Sequence, residues 1–337
     1  MRCFWDERQR AHAPQSEFFN GALHPAAEHP GRVDAILESL GATDAPADRG
    51  MEPLLRVHPA DYLGFLESAH SDWRAPGRQG DAFPYTFPVV ARRALDLERI
   101  DAKLGRYSFD TSTPITEGTW QSAYWSAQTA LAALQTVIDD ERSAFALCRP
   151  PGHHAGADYL GGYSYLNNAA IAAEAALAAG RARVAILDVD YHHGNGTQQI
   201  FYERADVLTI SLHADPRQEF PYFLGHADER GHGAGEGYHA NLPLPWGTEW
   251  PEYEVAMDAA VKRILAHGAE VLVISLGLDT FEHDPISRFK LQHEDYLRMG
   301  EKIASCDVPT LFVMEGGYAV DALGVNTVNV LKGFEAG

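Results

Sequence analysis

From residue 120 onward, short apolar runs alternate with stretches of helical periodicity, and this alternation constrains the fold more than any other feature. The runs are Phe145 to Leu147, Val184 to Val189, Val207 to Leu212, Val271 to Leu276 and Leu311 to Met314. They are largely apolar and rich in β-branched residues, as strands covered on both faces are. Between them lie the helical stretches Asn168 to Ala179, closed by Gly180, Tyr253 to Ala266 and Glu294 to Ser305. A last covering helix is expected from Asp321 to Phe334. Such alternation indicates an α/β fold, a central and mostly parallel sheet with helices on both faces. Residues 70 to 118 break the rhythm. They are rich in Pro, Gly and Arg and are expected to form a long surface insertion, with a short helix around Arg92 to Ile100. No repeat, low-complexity tract or linker divides the chain, so a single domain over residues 1–337 is expected.

Composition narrows the partners. The 337 residues are 45% hydrophobic, with 30 Gly and 19 Pro, which suits a folded globular protein. No apolar run reaches the roughly 18 residues of a membrane span. The opening MRCFWDERQRAHAP lacks the apolar core of a secretion signal. Cys3, Cys148 and Cys306 are too sparse for a disulfide framework, form no CxxC pair, and fit a reducing cytoplasm. Lys and Arg number 27 against 47 Asp and Glu, a formal charge of −20. That balance disfavours nucleic acid and anionic membrane and favours cations; taken alone, it signifies solubility.

In an open α/β sheet the ligand site lies beyond the carboxyl ends of the strands. Four candidate strands run into polar motifs there: CRPPGHHAG, LDVDYHHGNGT, SLGLDTF and MEGGY. Asp188, Asp190 and His192 are spaced two apart, so on extended chain they share one side. Asp190 and His192 can grip a metal ion with Asp188 behind them. A lone Asp-x-His would be no more than a loop cap, but Asp279 at another strand end supplies a third ligand. Two carboxylates and an imidazole suit zinc and leave positions for water and substrate. His153 and His154 follow a Pro-Pro-Gly turn that can aim both rings into the crevice as proton carriers. Tyr318 follows two glycines, where its phenol can donate to a developing oxyanion.

These residues resemble those of the arginase–deacetylase superfamily, its histone deacetylase branch, and most closely the bacterial acetylpolyamine amidohydrolases. The resemblance rests on RPPGHHA, GGYSYLNN, DVDYHHGNGT, GLDTFEHDP and MEGGY and extends from about Arg2 to Gly333. It implies zinc on Asp190, His192 and Asp279, with His154 activating water and later protonating the leaving amine. His153, oriented by Asp188, would assist electrostatically, and Asn195 would partner His154 where some relatives carry Asp. A neutral amide leaves that imidazole less basic than a carboxylate would. Tyr318 would stabilise the oxyanion, the Gly162 carbonyl would accept the substrate N–H, and Tyr163 and Phe220 would wall the tunnel. Relatives also bind potassium or sodium. The matching positions are Asp188, Asp190, His192, Ser211 and Leu212 for one ion, and Phe201, Arg204, Val207 and Tyr238 for the other. The two-manganese signature of the ureohydrolases is missing, since residues 188–192 read DVDYH.

The resemblance makes a small acetylated polyamine the leading substrate. The insertion is similar to the loop that builds a homodimer and narrows the tunnel in the amidohydrolases. Asp101 falls on one acidic position of that loop and Ser112 on another, with Asp110 and Glu117 as further acidic candidates for the substrate's ammonium. Ile286 stands where some polyamine deacetylases carry a gatekeeper Glu. The rivals are an acetyl-lysine deacetylase of proteins or peptides, an amidase or esterase for another small acyl compound, and an inactive binding module. The complete catalytic set argues against the last.

Overall fold

The structure is a computed structural model, and it describes residues 1–89 and 95–337. The strands are β1 (Arg2–Phe4), β2 (Ser16–Phe19), β3 (Ala22–Pro25), β4 (Ser143–Ala146), β5 (Val184–Asp188), β6 (Val207–Ala214), β7 (His239–Leu244), β8 (Val271–Leu276) and β9 (Thr310–Met314). Among the described residues, seven of them form one sheet in the order β1-β4-β9-β8-β5-β6-β7. Every neighbouring pair in that sheet is parallel. A parallel sheet between helical layers is the arrangement that the resemblance implies. β2 and β3 form a separate antiparallel hairpin.

Apolar residues alternate between the two faces of each strand. Val184 and Ile186, Val271 and Val273, and Leu311 and Val313 join one core. That core contains α3 (Ala60–Arg74), α5 (Thr119–Ile138) and α6 (Asn168–Ala178). Ala185 and Leu187, Leu272 and Ile274, and Phe312 and Met314 join the other. There they meet α1 (Gly31–Leu40), α8 (Trp250–His267), α9 (His293–Ala304) and α10 (Val320–Ala336). Two short helices, α2 (Glu52–Leu55) and α7 (Asn195–Phe201), are also present. No helix among the described residues is long and apolar enough to cross a membrane.

The expected strands and helices of the second half form within a few residues of their anticipated ends. The insertion differs. The anticipated helix at Arg92 to Ile100 begins outside the described residues, and Leu95 to Arg99 is not helical; α4 instead runs from Ile100–Tyr107. Its buried side chains, Ile100 and Leu104, supply the apolar spacing that Leu95 and Leu97 lack. Ala82 and Ile115 exchange backbone hydrogen bonds, tying the two ends of the insertion together.

Candidate active site

Because the sheet is parallel, the loops that follow β4, β5, β8 and β9 open at one edge. The loop after β5 carries Asp190 and His192, and the loop after β8 carries Asp279. One ligand atom from each of these three lies within 4.8 Å of the others. His192 Nδ1 is 3.0 Å from Asp279 Oδ2 and 3.5 Å from Asp190 Oδ1. The carboxylates are seated by backbone donors: Gly316 N–H reaches Asp190 Oδ2 at 2.9 Å and Tyr191 N–H reaches Asp279 Oδ1 at 2.8 Å. Gly277 and Gly316 form the wall behind them. A Cβ at Gly277 would sit 2.1 Å from Asp190 Oδ2, and one at Gly316 would sit 2.8 Å from Asp279 Oδ2.

Burial and the adjacent Asp190 carboxylate push the Asp279 carboxyl up to about 7. Burial opposes charge on His192, yet Asp190 and Asp279 together push its imidazole up to about 10. A cradle that concentrates negative charge in this way suits a divalent cation, and the donor set fits one.

The histidine turn lies beside it. His153 Nδ1 is 2.9 Å from Asp188 Oδ2, and His154 Nδ1 is 2.6 Å from Asn195 Oδ1. The rings are 4.0 Å apart. Their environments are opposed. Burial, followed by the charges of His153 and His192, holds His154 well below the ordinary imidazole range. Burial also opposes charge on His153, but Asp188 and Asp190 outweigh it and hold the ring well above that range. Glu315 seats the turn, its Oε2 accepting Gly152 N–H at 2.6 Å and His153 N–H at 3.1 Å.

A cavity of about 200 Å³ opens onto this constellation. Of the anticipated residues, His154, His192, Gly162, Tyr163, Phe220, Ile286 and Tyr318 line it. Phe220 lies edge-on to His154, and Tyr163 edge-on to Tyr318. Burial keeps the Tyr318 phenol well above its ordinary pKa, so it remains a proton donor. Gly162 is required to be glycine: a Cβ there would meet His154 Cδ2 at 2.2 Å.

The acidic residues of the insertion fall elsewhere. Asp101 is paired with Arg78 at 2.9 Å and Arg99 at 2.8 Å and does not line the cavity. Asp110 accepts Gly162 N–H at 2.6 Å, so it holds the tunnel wall from behind. Glu117 is exposed and outside the lining. What lines the cavity instead is Glu17 on the β2–β3 hairpin and Glu219 beside Phe220, with Phe19, Ser112 and Tyr222. Tyr163 donates its hydroxyl to Glu17 at 3.1 Å, and Tyr191 donates to Glu219 at 2.8 Å. Sequence reasoning passed over Glu17 because SEFF carries no chemical signature. Glu219 could have been found as the neighbour of the wall residue Phe220.

Of the anticipated monovalent-cation positions, Asp188 and Ser211 are paired in register on adjacent strands and border an internal void of about 10 Å³. Leu212 follows on β6 beside Leu242. In the second set, the Phe201 carbonyl accepts Arg204 N–H and the Tyr238 carbonyl accepts Thr209 N–H, with Val207 opening β6 nearby.

The histone deacetylase domain model matches residues 24–334. The chain is 55% identical to acetylpolyamine amidohydrolase 1 of Pseudomonas aeruginosa, over 99% of both chains. It is 47% identical to acetylpolyamine amidohydrolase of Mycoplana ramosa, again over 99% of both. The crystal structure of acetylpolyamine aminohydrolase from Burkholderia pseudomallei superposes with a TM-score of 0.94 at 41% identity, covering 100% of this chain and 99% of that one.

Proposed function

The chain belongs to the histone deacetylase family and is a deacetylase, and from that premise we propose that it removes acetyl groups from the amine nitrogen of small acetylated polyamines, with zinc held by Asp190, His192 and Asp279. One observation carries the substrate: the cavity is walled by aromatic rings and bordered by two carboxylates, Glu17 and Glu219. Tyr163 and Phe220 suit the methylene stem of an aminoalkyl chain, and the carboxylates suit its distal ammonium. The names of the relatives support the same reading.

Bound zinc supplies Lewis acidity to the scissile carbonyl and to water. His154 takes a proton from water and returns it to the leaving amine. Its Nδ1 faces Asn195 Oδ1, which leaves Nε2 for that transfer, and its depressed pKa keeps it neutral beforehand. His153, charged against Asp188, favours the negative charge that develops at the carbonyl oxygen. Tyr318 donates to that oxygen, and the Gly162 carbonyl accepts the amide N–H. The void bordered by Asp188 and Ser211 supports a structural potassium or sodium ion. Exposed Tyr85, Val89 and Leu95 on the insertion support a homodimer, because apolar side chains so placed favour a partner surface. Free cysteines support a cytoplasmic setting.

The test is kinetic, on acetylputrescine, acetylspermidine and an acetyl-lysine peptide. Acetylated polyamines should give the higher kcat/KM. Glu17→Gln and Glu219→Gln should raise KM about 10-fold or more, as expected for removing a partner from a desolvated charge pair, and should change kcat less. Chelation should abolish activity and zinc should restore it. Preference for the peptide, with KM unmoved in both variants, would overturn the polyamine reading.

A further inference from the structure

Asp284 lies in the loop that follows β8 and is buried, with 7% of its surface exposed. Its two oxygens serve different clients. Oδ2 accepts the backbone N–H of Tyr318 at 2.7 Å and of Ala319 at 3.2 Å. Oδ1 accepts the backbone N–H of Ile286 at 3.1 Å. Tyr318 and Ile286 both line the cavity, yet they reach it from loops after different strands. We propose that Asp284 is a positioning residue that sets Tyr318 and the tunnel-wall residue Ile286 against each other. Through this one carboxylate, placement of the oxyanion donor and selection of the substrate chain become coupled. The proposal rests on the roles given above to Tyr318 and the tunnel.

The division between the oxygens makes the coupling separable. An aspartate accepts on both sides, whereas an asparagine accepts on one and donates on the other. In Asp284→Asn the carbonyl oxygen belongs on the side of Tyr318 and Ala319, where two donors converge. The new NH2 then faces the Ile286 N–H, and that buried donor loses its acceptor. Asp284→Ala removes both acceptors at once. Asp284 makes its hydrogen bonds to these three backbone groups, and it acts on His192 and Asp279 only through its charge.

The experiment is steady-state kinetics on the zinc-loaded enzyme with acetylputrescine, for Asp284→Asn, Asp284→Ala, Ile286→Ala, Tyr318→Phe and the double variant Asp284→Asn with Ile286→Ala. Asp284→Asn should raise KM about 5-fold or more, the lower end of the effect of one unpaired buried N–H, with a smaller fall in kcat. Asp284→Ala should also lower kcat, by about 10-fold or more, as Tyr318 loses its seat. The double variant should show the KM of Ile286→Ala alone, because the two changes act through one side chain. Additive KM effects, or a kcat loss in Asp284→Asn equal to that in Asp284→Ala, would overturn the proposal. If Asp284→Ala does not fold, the Asn variant and the double variant still decide it. A wild-type kcat in Tyr318→Phe would instead refute the role of Tyr318, an outcome distinct from additivity.

Discussion

His58 accepts the Asn167 N–H on Nε2 and donates from Nδ1 to the Ala157 carbonyl. Burial depresses its pKa from 6.5 to about 4, against a smaller upward pull from the Ala157 and Gly156 carbonyls. The folded protein therefore keeps His58 neutral, while the unfolded chain protonates it below 6.5. Between those values the unfolded state binds more protons, so stability rises with pH and is lost as pH falls from 6.5 towards 4. His58→Gln keeps one donor and one acceptor. Urea unfolding followed from pH 7 to pH 4 should show a shallower dependence than the wild type, by about one proton. An identical slope would show that His58 does not report acid stability. No motif singled out His58. Its partners come from segments about a hundred residues away, which local pattern does not record.

At the scale of elements, the strand ends carry the site. β8 delivers Gly277 and Asp279, and β9 delivers Glu315, Gly316 and Tyr318. A Cβ at Gly277 would be 2.1 Å from Asp190 Oδ2 and 2.4 Å from its Cγ, so the ligand has no room to stay in place. Gly277→Ala should therefore weaken zinc binding at least about 10-fold, a typical effect of disturbing the groups that orient a ligand. Zinc content after dialysis against a competing chelator measures this; wild-type loading would sink the claim. The strands of the second half were legible because they are buried at every position and hence largely apolar, with Asp188, Ser275 and Thr310 as the polar exceptions. α5 was not, because polar residues lie on its buried side. Ser122, Ser126, Gln128 and Thr129 are buried there, their hydrogen-bonding capacity met by loop backbone and by Gln9, Arg49 and Gly50. β7 was obscured by Pro243, which an edge strand tolerates.

For the whole molecule, the insertion and the charge act together. Tyr85 is 74% exposed and Val89 is 99% exposed, while residues 108–113 reach the cavity through Phe109 stacked on Phe220 and Ser112 in the lining. Deleting residues 83–98 should convert the proposed dimer to monomers in sedimentation and raise relative activity on acetyl-lysine peptides; a native-length chain that sediments as a monomer would end that idea. The net charge of −20 should also make kcat/KM for a cationic acetylated diamine fall with salt, over a Debye length of about 8 Å. A neutral acetylated amine should show no such fall. The sequence anticipated that Asp188, Asp190, His192 and Asp279, the histidine pair and Tyr318 would converge, and they do, because a parallel sheet brings its strand ends together. The sequence likewise determined the sheet, through apolar runs that only two covering layers can bury. Which carboxylates face the cavity was decided by tertiary structure. Asp101 is chemically as suitable as Glu17, but Arg78 and Arg99 neutralise it, whereas the hairpin carries Glu17 to the tunnel wall. Charge in a chain is a property of residues; its direction depends on which neighbours the fold supplies.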